Sequence, residues 1–296
     1  MTREELYASI YTHDTIYQPP WEEGVPALEV ALGCSWHKCL FCDFAKDPFQ
    51  IHALDKIEHN MKILGQLRPD AERLFLLGEN AFAISSDILC RIFDMTDKYM
   101  PHVYEFSMYA RIDDVLRKTD EELQMLHKMG LSMLHIGVES GSDPILALMN
   151  KGITSSQTVS ALNRLDRIGI DYCVTVILGL GGRTYRNLHA IETARMLNRT
   201  HPKNIWCLKL KVWEHTPLEK MVKRGEFDPM TPEEILLEER ILLENLHVTG
   251  CSYVDSTVLD SYTIQGDLPE QKESMLRAIN NLLAFNWGKT TPTVIR

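Results

Sequence analysis

Residues 27–42, ALEVALGCSWHKCLFC, join a short apolar strand to a loop that carries three of the seven cysteines of the chain. Cys34, Cys39 and Cys42 are separated by four and then two residues. Three thiols on one short loop can bind a metal centre, and loops that follow strands are where barrel enzymes place their chemistry. The other cysteines lie singly in the sequence: Cys90, Cys173, Cys207 and Cys251. We therefore expect one metal centre.

Two kinds of metal centre fit this loop. A structural zinc ion would need a fourth ligand, which His37 or a distant residue would supply. A [4Fe–4S] cluster held by three cysteines would leave one iron open to an exogenous ligand. The position of the loop after a strand favours the cluster. The odd number of cysteines argues against a disulfide framework.

The composition of the 296-residue chain, 45% hydrophobic and 24% charged, is typical of folded globular proteins. No apolar run approaches the roughly 20 residues of a membrane helix, and the first 20 residues lack the pattern of an export signal. We therefore expect a cytoplasmic protein with no membrane partner. The net charge of −10 argues against nucleic acid as a partner and favours a small or peptide-like substrate, because nucleic-acid affinity depends on cationic side chains.

Short β-branched or aromatic runs alternate with helical patterns between residues 26 and 215. The six predicted strands are Ala27–Leu32, Arg73–Leu77, Val103–Tyr109, Ser132–Val138, Tyr172–Leu178 and Ile205–Val212. This alternation predicts an α/β fold with parallel strands, and six units suit a partial (β/α)6 TIM-like barrel. An open doubly wound sheet is the alternative. Capping boxes predict three helix starts: Thr119 with Glu122, Thr154 with Gln157, and Thr231 with Glu234.

Three segments follow from this pattern: an N-terminal lead-in over residues 1–25, a barrel over 26–226, and a helical extension packed on the same domain over 227–296. Within the extension, residues 231–247 and Pro269–Phe285 have helical patterns, whereas Val248–Asp267 is rich in turn residues.

The loop has the sequence pattern GCxxxKCxFC, which resembles the cluster motif of the radical S-adenosylmethionine (SAM) superfamily. Most members of that superfamily have three residues between the first two cysteines of the motif, whereas this chain has four. The longer gap resembles short, stand-alone members near the oxygen-independent coproporphyrinogen oxidases and the tRNA methylthiotransferases. The resemblance covers about Tyr17 to Glu226. It implies one [4Fe–4S] cluster on the three cysteines, SAM, a reducing and anaerobic setting, and an electron donor such as flavodoxin or ferredoxin.

The resemblance also implies which residues contact SAM. Phe41 would lie beside the adenine, and the Gly78-Glu79-Asn80 motif would receive the ammonium group, with Glu79 as the acceptor. The third strand places Ser107, Tyr109 and Arg111 on one face. Arg111 would pair with the SAM carboxylate, or else form a salt bridge with Asp113 or Asp114.

Two later strand ends belong to the same expected site. Glu139, in HIGVESGSD, would approach the ribose hydroxyls of SAM, and Gly179, in ILGLGG, would allow the backbone to approach the adenine. His135 is expected to be a hydrogen-bonded histidine of the barrel wall. Lys209 and Lys211 share one face of the sixth strand and are expected to point into solvent; if this face turned inward, it would indicate an anionic substrate. Cys251 is a candidate hydrogen-atom donor, although an ordinary packed cysteine fits its position better.

The function implied by the resemblance is reductive cleavage of SAM to a 5′-deoxyadenosyl radical, which then removes hydrogen from a small-molecule or peptide-like substrate. Two alternatives stay open. One is a zinc-stabilised barrel that acts as a non-redox binding protein, and the other is a radical SAM enzyme that modifies RNA.

Overall fold

Strands and helices alternate through the computed structural model, which describes residues 2–45, 47–256 and 262–284. The strands in this part of the chain are β1 (Ala27–Glu29), β2 (Ala31–Leu32), β3 (Gln50–Ile51), β4 (Arg73–Leu77), β5 (Glu105–Ala110), β6 (Leu131–Glu139), β7 (Asp171–Leu178), β8 (Asn204–Lys209), β9 (Cys251–Asp255) and β10 (Ile264–Leu268). The helices are α1 (Arg3–Ala8), α2 (Leu54–Leu67), α3 (Ser86–Tyr99), α4 (Ile112–Arg117), α5 (Asp120–Lys128), α6 (Asp143–Leu148), α7 (Ser155–Ile168), α8 (Gly182–Leu197), α9 (Pro217–Lys223), α10 (Pro232–Asn245) and α11 (Lys272–Ala284). None of these described helices has the length and apolar character needed to cross a membrane.

Eight strands form one sheet in the order β1, β4, β5, β6, β7, β8, β9, β10. The pairs β1–β4, β4–β5, β5–β6 and β8–β9 are parallel, and β9–β10 is antiparallel. This mixed α/β architecture with a mostly parallel sheet confirms the predicted fold class. All three predicted capping boxes are also present, with hydrogen bonds in both directions between Thr119 and Glu122, Thr154 and Gln157, and Thr231 and Glu234.

The chain divides into two compact units. The first comprises Met1–Gly137 and Ser160–Cys173. Its core lies on the first strands of the sheet, where Leu28, Phe75 and Leu76 are fully buried. Helices α2 and α3 cover this region, and Phe93 of α3 stacks on Phe106 of β5 with ring centroids 3.9 Å apart. Apolar burial of this kind is the main source of stability for such a unit.

The second unit comprises Val138–Val159 and Val174–Arg296. Helices α8 and α10 pack closely together, and Leu242 and Leu243 of α10 are buried. Strand β9 runs parallel to β8, with Cys207 opposite Asp255, and β10 returns antiparallel with Ile264 opposite Asp255.

The prediction that Val248–Asp267 consists of turns is therefore wrong for β9 and β10, which add two strands to a region expected to be helical. Strand β9 buries alternate residues, Cys251, Tyr253 and Asp255. A buried aspartate breaks the apolar alternation by which a strand is recognised in sequence. Strand β10 contains Gly266 and Asp267, which are typical of turns.

The first predicted strand also differs from the structure, because it changes partner at Val30. Strand β1 pairs with β4, but β2 pairs antiparallel with β3, which was not predicted. At the change, the Val30 N–H donates to the Leu77 carbonyl and the Val30 carbonyl accepts from the His52 N–H. The other predicted strands agree with the structure to within a few residues at their ends, as is normal for strand boundaries.

The N-terminal segment is anchored to the first unit by a buried carboxylate. Glu22, which is fully buried, accepts hydrogen bonds from Arg73 at 3.2 Å and from His135 Nε2 at 2.8 Å. His135 is therefore a hydrogen-bonded wall residue, as expected. A buried carboxylate is tolerated only when such partners compensate for its lost hydration.

Replacing this carboxylate is expected to destabilise the protein. The change Glu22→Ala removes the buried acceptor of His135 Nε2 and leaves Arg73 with Glu105 as its remaining carboxylate partner. We therefore expect the free energy of unfolding to fall by about 3 kcal/mol. Urea denaturation followed by circular dichroism measures this loss. The matched control is Glu4→Ala, at an exposed site in α1, which should change it by less than about 0.5 kcal/mol. Equal losses in the two variants would contradict the anchoring role.

Candidate functional site

The three clustered cysteines lie on the loop that connects β2 to β3. None of Cys34, Cys39 and Cys42 forms a disulfide, and all three are half-buried. The loop leaves β2 through Gly33, whose φ of +71° lies in the left-handed region. A Cβ at Gly33 would lie 2.3 Å from the carbonyl oxygen of Asp47, near the other end of the loop. Glycine is therefore required here for both backbone conformation and close approach.

The loop does not present a ready-made site for a single metal ion. Across the described residues, no group of three or more His, Cys, Asp or Glu side chains is arranged to hold one ion. His37, the local candidate for a fourth zinc ligand, is exposed and has a φ of +48°. Zinc needs ligands that converge on one point at about 2.0–2.3 Å, whereas thiolates that hold an iron–sulfur cluster bind separate irons.

Side chains from two strand ends contact the gap between Cys34 and Cys39. The Asn80 Nδ2 atom, just after β4, donates to Ser35 Oγ at 2.8 Å. Two cations lie near the Trp36 ring, with Lys38 Nζ 4.8 Å and Arg111 Cζ 5.4 Å from its centre. Cation–π contacts of this geometry are attractive. Together with the Asn80 hydrogen bond, they attach the residues between Cys34 and Cys39 to the ends of β4 and β5.

Glu79 points to a different place from Asn80. Its Oε2 atom is buried and has no hydrogen-bond partner among the described residues. Burial raises the pKa of Glu79, while the backbone N–H groups of Glu79 and Gly33 oppose this rise and the charge of Asp47 adds to it. A buried carboxylate oxygen without a donor is costly, and it is satisfied by a ligand that brings N–H groups.

A pocket opens beside this carboxylate, and we call it the Glu79 pocket. Its lining residues are His13, Thr15, Ile16, Tyr17, Glu29, Ala31, Leu32, Phe44, Leu77, Gly78, Glu79 and Tyr109. Tyr17, Phe44 and Tyr109 form a row of edge-to-face rings, with successive centroids 5.6 Å apart. Aromatic faces and carboxylates attract cations, so the pocket has the chemistry to accept a positively charged group.

The structure brings Gly78, Glu79 and Tyr109 together in this pocket but places other expected residues elsewhere. Ser107 is buried, and its Oγ atom lacks a hydrogen-bond partner within the described residues. Arg111 is buried and donates from Nε to Asp113 at 2.8 Å, so the alternative expectation of a salt bridge is met. Phe41 is buried in the cysteine loop but is not among the residues that line the pocket.

In the second unit, Glu139 ends β6 with a φ of +62°, an uncommon conformation for a residue with a side chain. Its Oε1 atom accepts from Lys151 Nζ at 2.8 Å, and its Oε2 atom is buried with no partner in the described part of the chain. Strained strand-end residues often belong to functional sites. Glu139 therefore has one carboxylate oxygen held by Lys151 and one oxygen available to a donor.

Gly179, also in the second unit, has a φ of +84°, and its N–H donates to the Glu238 carboxylate of α10. The other Glu238 oxygen accepts from His189 Nδ1 at 2.8 Å. The fully buried Glu238 thus connects helices α8 and α10 with the end of β7. The Gly179 N–H is therefore already bonded, and the Ile235 side chain lies 3.4 Å from the position that a Cβ of Gly179 would take.

Lys209 does not point into solvent, so that expectation is wrong. Its Nζ atom lies 2.9 Å from the fully buried Asp255 carboxylate and 3.8 Å from the centre of the Tyr262 ring. The partner is supplied by β9, which the sequence did not predict. Lys211 is exposed, as expected.

Cys251 begins β9, whereas Asp255 ends it. Burial raises the pKa of the Cys251 thiol to about 12. Parallel sheets place their chemistry at the carboxyl ends of strands, so this position does not favour a role as hydrogen-atom donor.

Several lining residues of the Glu79 pocket were not predicted from the sequence, among them His13, Tyr17, Glu29 and Phe44. Phe44 follows Cys42 by two residues, a signal that was available. The others lie in or contact the lead-in, where Thr12 donates from its backbone N and its Oγ1 to Glu29. Burial alone would raise the pKa of Glu29, but the hydrogen bonds from His52 and Thr12 lower it overall.

Comparison with known families identifies the class of protein that this loop and sheet define. The chain belongs to the radical SAM superfamily, whose family model matches residues 28–194, more than half of the chain. Members of this superfamily are enzymes that bind a [4Fe–4S] cluster and SAM, so the chain is an enzyme with these two cofactors.

The sequence identity between this chain and individual relatives is low. The chain is 27% identical to the heme chaperone HemW of Bacillus subtilis (strain 168), over 56% of this chain and 46% of that protein. It is 24% identical to the ribosomal protein uS12 methylthiotransferase RimO of Chlorobium phaeobacteroides, over 82% of this chain and 56% of that protein. The chain thus spans about half the length of these two relatives.

Among solved structures, coproporphyrinogen III oxidase (HemN) from Escherichia coli shares the fold. Its TM-score is 0.58 at 16% identity, and the match covers 82% of this chain and 56% of that chain.

The glycine at the start of the cysteine loop gives a direct test of the loop geometry. The change Gly33→Ala places a methyl group against the backbone of Asp47 and forces an unfavourable φ, so we expect the free energy of unfolding to fall by about 2 kcal/mol or more. We also expect faster alkylation of the cysteines in metal-free protein. Gly24→Ala is the control, since its φ is +79° but nothing lies within 4 Å of an added Cβ. If the free energy of unfolding falls equally in both variants, the contact between Gly33 and Asp47 does not contribute to stability.

Proposed function

We propose that this enzyme uses one [4Fe–4S] cluster, bound by Cys34, Cys39 and Cys42, to cleave SAM reductively and to remove hydrogen from a small-molecule or peptide-like substrate. The observation that carries the proposal is the buried, unbonded Glu79 oxygen in an aromatic pocket beside the start of the cysteine loop. A flavodoxin or ferredoxin would serve as the electron donor.

The cysteine loop fits a cluster with one open iron. Its three thiols are half-buried, and no disulfide joins them, so they are accessible for assembly and partly protected from water. Cysteine thiolates are the usual ligands of such clusters, and burial and hydrogen bonding adjust their reduction potential. The chain thus supplies three ligands and leaves the fourth coordination position to SAM.

The Glu79 pocket fits the amino end of SAM. An ammonium group brings three N–H donors, and the Oε2 atom of Glu79 is an acceptor that lacks a donor. The rings of Tyr17, Phe44 and Tyr109 provide a second attraction for positive charge. Binding there would satisfy the buried carboxylate and exclude water from it.

Glu139 fits the ribose of SAM on similar grounds. Lys151 holds one of its oxygens, so the carboxylate has a defined orientation, and the buried Oε2 atom can accept a hydrogen bond from a hydroxyl group. Gly179 presents backbone without a side chain, which suits contact with a planar base.

The bound cofactors supply an electron and, from SAM, a 5′-deoxyadenosyl radical that takes a hydrogen atom from the substrate. The side chains of this enzyme do not perform that chemistry themselves. They bind and orient the cofactors and exclude water, because a reactive radical is otherwise lost to side reactions.

Two observations support the proposed class of substrate. The net charge of −10 supports a small-molecule or peptide-like substrate. The similarity to RimO, which by its name acts on a ribosomal protein, is consistent with a peptide-like substrate. Membership of the radical SAM superfamily rules out the zinc-stabilised binding protein. RNA modification is the alternative reaction, and RNA affinity that falls steeply with salt would favour it.

The cluster assignment predicts a clear result for Cys39→Ala. After anaerobic reconstitution, the unaltered enzyme should bind about four irons and form 5′-deoxyadenosine from SAM with a strong reductant. The variant should lose both properties because a cluster ligand is missing. Cys90→Ala, at a half-buried single cysteine of α3, should keep both. Four irons in the Cys39 variant, or one zinc in place of iron in the unaltered enzyme, would refute the assignment.

The assignment of Glu79 predicts weaker SAM binding in Glu79→Gln. Loss of a charge-assisted hydrogen bond should raise the dissociation constant on the order of 10- to 100-fold. Equilibrium dialysis with SAM under anaerobic conditions measures this change, and iron content should stay unchanged. Glu121→Gln removes the same charge from an exposed position in α5 and should have no effect. Unaltered affinity in the Glu79 variant would place the ammonium group elsewhere.

A further inference from the structure

The four residues between Cys34 and Cys39 are held at Ser35 by the side chain of Asn80. The Asn80 Nδ2 atom donates to Ser35 Oγ at 2.8 Å and to Asp114 Oδ2 at 2.7 Å. Asn80 is fully buried, although Ser35 is exposed. The amide therefore connects the cysteine loop to helix α4 from within the protein.

The orientation of the amide is defined by its second partner. An ionised carboxylate only accepts hydrogen bonds, so Asp114 requires the NH₂ group of Asn80 and not its oxygen. Both N–H groups of Asn80 are then used, and Ser35 Oγ is an acceptor. Asp114 is itself buried and paired with Arg117, which holds the carboxylate in place.

The next residue of the gap is held independently. The Trp36 ring contacts the guanidinium group of Arg111, which is buried and bonded to Asp113 at 2.8 Å. Two successive loop residues are therefore attached to the groups that follow β4 and β5. A longer loop has more conformations to lose on folding, and these contacts restrict the longer gap of this chain.

We propose that Asn80 is a positioning residue that sets the direction of the chain between Cys34 and Cys39 and so prepares the loop for the cluster. This inference rests on the proposed function, because it assumes that the two cysteines are cluster ligands. Under this proposal, two residues of the Gly78-Glu79-Asn80 motif have different roles. Glu79 faces the pocket for SAM, whereas Asn80 faces the cysteine loop.

The inference predicts an effect on the loop even without a cluster. In Asn80→Leu the side chain keeps a similar volume but loses both donors, so the loop should open more often. Alkylation of Cys34 in metal-free protein should be on the order of fivefold faster, the change expected for one net hydrogen bond. Mass spectrometry measures the rate at each cysteine, with Cys90 of α3 as the internal reference.

Two further variants distinguish positioning from general loosening. Asn60→Leu removes an equally buried amide, which donates to the Ile10 carbonyl at 3.0 Å, and should leave the Cys34 rate unchanged. Ser35→Ala removes the acceptor from an exposed site, and it should reproduce the effect of Asn80→Leu even if that variant folds poorly. A faster rate in the Asn60 variant as well, or unchanged rates in both the Asn80 and Ser35 variants, would overturn the inference.

The reconstituted enzyme provides a second readout. The reduction potential of the cluster depends on hydrogen bonds and solvent exposure around its ligands, so it should shift in Asn80→Leu and Ser35→Ala but not in Asn60→Leu. An unshifted potential in both loop variants would contradict positioning. The proposed function is tested separately, because it fails if Cys39→Ala retains the cluster or if the unaltered enzyme holds zinc in place of iron.

Discussion

The close approach of Gly33 to Asp47 is the constraint on which the candidate site depends. It brings the two ends of the cysteine loop together, with only 2.3 Å between a hypothetical Cβ and the Asp47 carbonyl oxygen. The same glycine offers its backbone N–H to the Glu79 carboxylate. One residue without a side chain thereby connects the loop that would hold the cluster to the pocket that would hold SAM.

The neighbouring residues Glu79 and Asn80 show how a strand end serves two partners. Successive side chains point in different directions as the chain leaves β4. Glu79 keeps one buried oxygen without a donor, whereas Asn80 uses both of its N–H groups within the protein. The Asn80 Oδ1 atom is also buried without a donor among the described residues, but an ionised carboxylate is the stronger acceptor for an ammonium group. Of these two neighbours, we therefore assign Glu79 to the ammonium group of SAM and Asn80 to the support of the loop.

Most of the sheet could be predicted from the sequence because its parallel strands are continuous apolar runs between helices with clear start signals, such as Thr119 and Thr231. Strand β9 could not, because its buried Asp255 pairs with Lys209 on the neighbouring strand β8. A polar residue at a core position is recognisable as part of a strand only when its partner is known. The same pairing explains why Lys209 was expected, wrongly, in solvent.

The sequence by itself indicated a metal centre, since three cysteines at close spacing are local and need no tertiary structure to be recognised. The resemblance of its motifs to the radical SAM superfamily then implied the cluster and SAM, with Glu79, Tyr109 and Glu139 as candidate residues of the SAM site. Only the tertiary structure decided that Tyr17 and Phe44 complete the Glu79 pocket and that Asn80 supports Ser35. These contacts join residues up to 92 positions apart (Tyr17 to Tyr109), and such proximity depends on packing rather than on any local pattern.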